Sequence, residues 1–143
     1  MKFWLKKDMW LISAVNTFIC LLGCSIGDFA TILYFQYFTS IKSIIVIMPI
    51  AIINGIITSV MLETVLLWRR NKIPFKDAIK MAMGMSLVSM ITMELAMNFT
   101  DIMIEGSLVI SLSSVLPVLL VGFIVPWPYN YWRLVKYKKS CCG

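Results

Sequence analysis

Apolar residues run along this chain in four long blocks, and charge collects in the short segments between them. A window of about 19 residues places the blocks at 9–38, 43–68, 78–98 and 107–125. Each is longer than the ~17–20 residues a helix needs to cross ~30 Å of hydrocarbon. The prediction is one all-α domain over 1–143: an integral membrane bundle of four transmembrane helices, with residues 126–143 as an interfacial tail. The first block, at ~45 Å, exceeds the bilayer core. It is expected to tilt, to bend near Gly27, or to lay its start along the headgroups.

Composition agrees with lipid as the solvent. Hydrophobic residues make up 60% of the 143 positions and the mean hydropathy is +0.89. A soluble domain of this length keeps too much of its surface wet to hide that much apolar area. Charge then sets direction. Lys2, Lys6 and Lys7 precede the first block, Arg69, Arg70, Lys72, Lys76 and Lys80 surround the second connection, and Arg133, Lys136, Lys138 and Lys139 follow the fourth. The first connection carries only Lys42, and the third carries Asp101 and Glu105. The positive-inside rule therefore places both termini and the central loop in the cytoplasm of a multi-pass cell-membrane protein. Trp4, Trp10, Trp68, Trp127 and Trp132 fall at the same interface, where indole rings settle. The net charge of +6 is spent on lipid headgroups and topology, since no basic stripe with interleaved aromatics points to nucleic acid.

A second reading of the N-terminal third is a lipoprotein signal, because lysines, an apolar run and Leu21-Leu22-Gly23-Cys24 follow one another. The chain stays apolar from Cys24 to Phe38, where a lipoprotein would turn into a polar tether, and the membrane helix is preferred. No internal repeat is evident.

Three carboxylates, Asp28, Glu63 and Glu94, fall inside the predicted crossings. An ionised carboxylate in lipid costs at least ~2.5–3.5 kcal/mol, so such groups turn toward the bundle, pair, or stay protonated. A spacing of four keeps residues on one helix face. Cys20, Cys24 and Asp28 share a face of the first helix, beside the small pair Gly23 and Gly27. Ala51, Gly55, Ser59 and Glu63 share one on the second, and Ala78, Ala82, Ser86, Met90, Glu94 and Asn98 one on the third. Small residues let helices approach closely, so Gly23, Gly27, Gly55 and Ser59 are the candidate packing positions. Ser107, Ser111 and Ser114 mark the expected inner face of the fourth helix. Asp28 and Glu94 come out at similar depth in the outer half, able to share a proton or cation, with Asp101 just outside. Glu63 lies nearer the inner end, within reach of Arg69, Arg70 or Lys80.

Sulfur is the other anomaly. Met81, Met83, Met85, Met90, Met93, Met97 and Met103 crowd into one segment. Thioethers and thiols suit copper(I) or another soft metal, which makes Cys20, Cys24, Met90, Met93 and Met97 candidate ligands. Methionine also fills irregular apolar gaps, and packing alone accounts for such a stripe. Cys141 and Cys142 end the basic tail and would receive such a metal in the cytoplasm, carry a lipid, or stand idle. The chain has no histidine, the commonest transition-metal ligand. A Ser/His/Asp set, a CxxC pair, a phosphate-cradling glycine loop and zinc spacing are all missing, so no enzyme is expected.

Gly23-Cys24-Ser25-Ile26-Gly27-Asp28 resembles a glycine–cysteine–glycine–aspartate signature. Gly122-Phe123, followed by Pro128, Asn130, Trp132 and trailing lysines, resembles the closing signature of the same group. The likeness, which includes Met85-Ser86 through Met93-Glu94, is to the DUF4396 family of small membrane proteins. That resemblance implies a helical membrane bundle and assigns no activity. Family versions of the first motif often place histidine beside the cysteine, hinting at metal, and this sequence departs from them there.

The expected function is a small cation or soft-metal transporter or channel-like protein, built as a homo-oligomer to widen its path. The alternative is a non-transporting subunit or assembly factor that binds a partner membrane helix. An intramembrane redox role for Cys20 and Cys24 is a third.

Overall fold

Hydrocarbon offers no water to satisfy backbone N–H and C=O groups, so a crossing segment closes those bonds within itself, as a helix. A computed structural model describes residues 7–137 and contains five helices: α1 (Lys7–Phe38), α2 (Ile44–Asn71), α3 (Phe75–Glu105), α4 (Leu112–Ile124) and α5 (Trp127–Tyr137). No strand occurs among the described residues. Four segments are long and apolar enough to cross a membrane, the fourth being α4 and α5 taken together. The polarity is that of a membrane bundle. Ile45 is 86% exposed and Leu112 96%, while Asp28, Glu63, Glu94 and Asn98 are buried.

The α1–α2 interface is the most extensive, followed by α2–α3 and α3–α4, with α1 also touching α3 and α4. Glycines set how close these helices come. A methyl group on Gly23 would stand 2.5 Å from the Ser59 backbone, and one on Gly27 would stand 2.4 Å from the Asn54 carbonyl oxygen. Both positions lie where the sequence placed the packing face, and α1 and α2 touch backbone to backbone there.

The three largest departures from expectation lie in the second half of the chain. α3 runs to Glu105 rather than ending near Asn98, because apolar Phe99, Met103 and Ile104 continue the helix. Gly106 ends it at φ +70°, a left-handed conformation natural to glycine, with its N–H on the Ile102 carbonyl. α4 starts at Leu112 rather than 107. Residues 107–110 are held outside the helix by side chains: Val109 N–H donates to Asp101 and Ile110 N–H to Gln36. Ser111 then caps α4 reciprocally with Ser114. Of the three serines expected inside, only Ser114 is buried.

The third difference is the tail. α4 alone spans ~20 Å, too short for a crossing, and the chain resumes after Pro126 as α5. This helix packs against the beginning of α1. Tyr131 stacks on Trp10 at 4.1 Å and Trp127 meets Trp10 edge-on. Asn130 donates to Thr17, and Ser13 to the Trp127 carbonyl. The expected interfacial anchor is thus a helix whose inner side docks on the bundle. Trp4, Lys138, Lys139, Cys141 and Cys142 lie outside the described residues.

Candidate functional site

The spacing-of-four faces meet along the bundle axis. Cys20, Cys24 and Asp28 from α1, Ala51, Ser59 and Glu63 from α2, and Ala78, Ala82, Ser86, Met90, Glu94 and Asn98 from α3 are all buried. They form a polar file down an otherwise apolar core.

At one level, Glu63 accepts hydrogen bonds from the Cys20 thiol and from the Ser86 hydroxyl, the latter at 2.7 Å. About two helical turns further along α3 lies Glu94. Its carboxyl rests in the notch left by Gly55, where a methyl would stand 1.7 Å from Oε1. The Cys24 thiol lies beside it and within electrostatic reach of Glu63 as well. Both Glu94 oxygens are buried with no partner of hydrogen-bond geometry. One turn on, Asn98 donates to Asp28 at 3.1 Å, while its own carbonyl oxygen Oδ1 is buried and unmatched. Asp101 follows. It was expected just outside the crossing, yet it is buried in α3 and accepts the Val109 N–H at 3.0 Å.

Between Asp28 and Asp101 lies a cavity of about 10 Å³, lined also by Met97 and Ser114. That is room for one water. A wider recess of about 300 Å³ opens at the same end of the bundle, where Gln36, Lys42, Ser107 and Val109 meet.

The sulfur ligands expected from the sequence also come together. Cys20, Cys24, Met90, Met93 and Met97 belong to one buried cluster with Leu21 and Val118. Met83 and Met103, by contrast, face outward at 47% and 71% exposure. Cys20 and Cys24 are both buried. Among the described residues, no three Cys, Asp or Glu side chains gather closely enough to hold a metal ion. Sequence reasoning placed Asn98 on the inner face without giving it a role, and it set Asp101 just outside the crossing. For Asp101 the signal was available: it continues the inner face of α3 three residues past Asn98.

An apolar exterior around four crossings, with carboxylates sheltered inside, defines a multi-pass helical membrane protein. The family model for DUF4396, a domain of unknown function, matches residues 9–139, nearly the whole chain. The chain belongs to that family. No curated protein and no solved structure matches it.

Proposed function

We propose that this protein is a small transporter or channel-like protein of the cell membrane that moves a cation through the polar file. One observation carries the reading. Glu94 buries two acceptor oxygens beside the Cys24 thiol, neither of them matched at full hydrogen-bond geometry, and Asn98 Oδ1 adds a third nearby. A buried carboxylate needs a counter-charge, and its unmatched acceptors call for a donor. A bound proton or cation supplies both. In this reading Asp28 and Glu94 form the principal site and Glu63 a second station. Cys20, Cys24, Met90, Met93 and Met97 form a soft wall able to contact copper(I). Both termini and the basic connection face the cytoplasm, and association of copies broadens the path.

The test is ion flux into vesicles containing the purified protein, with proton, potassium and copper(I) indicators run side by side. Flux above that of protein-free vesicles, reduced in Asp28→Asn and in Glu94→Gln, is expected. If both variants match the wild type, these residues leave the mechanism.

The second reading is a subunit that seats a partner membrane helix. A lipid-facing groove of about 460 Å³ between α1 and α2 favours it, since Thr31, Asn54 and Thr58 bring polar atoms to an apolar wall. Purification in gentle detergent with a stoichiometric partner and no ion flux would select that alternative.

A further inference from the structure

Resting on the cation reading above, we infer that the ion moved is the proton, passed along Asp101, Asp28, Glu94 and Glu63. The carboxylates stand in single file instead of converging. Metal ions demand several ligands around one point, and no such group of Cys, Asp and Glu exists among the described residues. A proton needs one acceptor at a time, and neighbours that can donate and accept.

The file supplies such neighbours. The recess at the α3–α4 end reaches Val109, whose N–H is bonded to Asp101. The cavity between Asp101 and Asp28 has the volume of one water, with the Ser114 hydroxyl in its wall. A water there links the two carboxyls. Asp28 is held by Asn98, one turn from Glu94 on the same helix.

The remaining step is from Glu94 to Glu63, and helix geometry shortens it. Side chains lean toward the N-terminus of their own helix. Because α2 and α3 run in opposite directions, Glu94 leans toward the Ser86 level and Glu63 toward the Gly55 level. Cys24, Cys20 and Ser59 fill the space between. The Ser59 hydroxyl is bonded to the Cys20 carbonyl, and the Cys20 thiol to Glu63. Each transfer breaks one O–H or S–H bond and forms another, so the file returns to its starting state once a proton has left the far end.

The groups facing Glu94 are Cys24 and Asp28 from α1, and from α2 Gly55, with Glu63 beyond. Asp101 lies further along α3 itself. Among the described residues, no Lys or Arg is a partner of Asp28, Glu94 or Asp101. Nothing there competes with the proton for the counter-charge role.

The experiment uses the full chain in liposomes with a trapped pH dye and an imposed potassium–valinomycin potential. Copper(I) and potassium uptake are followed in parallel. Expected is proton entry that falls ~10²-fold in Glu94→Gln, the lower end of what a positioned proton-transfer group supplies, and is partly kept in Glu94→Asp. Should Glu94→Gln not fold, Asp28→Asn is read in its place. Copper(I) or potassium uptake without proton entry overturns the proton and leaves cation transport standing. No flux of any ion overturns both, and full proton flux in folded Glu94→Gln overturns this path.

Discussion

Replacing Gly27 by alanine tests the tightest backbone approach that a glycine makes between α1 and α2. The added methyl would stand 2.4 Å from the Asn54 carbonyl oxygen and equally close to the Thr58 hydroxyl. Ordinary carbon–oxygen contacts begin near ~3.3 Å, so α1 and α2 must part by about 1 Å. A gap of that size forfeits a quarter to a half of each ~0.1–0.2 kcal/mol dispersion contact, or ~1 kcal/mol over roughly twenty contacts. Parting also stretches the 2.6 Å bond from Thr58 to the Gly23 carbonyl, for a further ~0.5–1.5 kcal/mol. The sum, ~1.5–2.5 kcal/mol, lies within the usual cost of overpacking. Alanine also gains up to ~1 kcal/mol of helix propensity over glycine, and a control removes that term. Gly84 sits within α3 with nothing inside 4 Å of its hypothetical methyl, so Gly84→Ala keeps the gain without the clash. The measurement is unfolding in mixed micelles titrated with a denaturing detergent, followed by far-ultraviolet circular dichroism. Gly27→Ala is expected to be less stable than Gly84→Ala by ~1.5–2.5 kcal/mol. Equal stability of the two would refute backbone contact between α1 and α2.

Two further outcomes are expected. Asn98→Ala removes the donor to Asp28 and should cost ~1–3 kcal/mol, the range for a buried acceptor left unmatched, with ion flux falling alongside; an unchanged melting curve would show that Asn98 does not hold Asp28. Asn130→Ala combined with Trp10→Ala removes the hydrogen bond to Thr17 and the stack on Tyr131. Together they are worth ~1–3 kcal/mol, and limited trypsin digestion should then cut at Arg133 and Lys136 sooner than in the wild type. Equal cutting rates would mean that α5 is held by other contacts.

Lipid as solvent made much of this protein readable in one dimension. Four crossings follow from apolar length, because a lone segment of ~20 residues satisfies its own backbone in hydrocarbon only as a helix. The inner faces follow from spacing, because residues four apart share a side of a helix and a carboxylate will not face acyl chains. Cys20, Cys24, Asp28, Gly55, Ser59, Glu63, Met90 and Glu94 were placed that way, and all are buried. What spacing does not carry is how far one helix slides and turns against the next. That is decided by shape, through notches such as Gly27 on the Asn54 carbonyl and Gly55 under Glu94. Only this alignment pairs Asp28 with Asn98, sets Cys20 and Ser86 on Glu63, and buries Asp101 against a loop amide. Docking of α5 onto Trp10 was equally out of reach, because it joins residues at opposite ends of the chain whose meeting depends on every crossing between them.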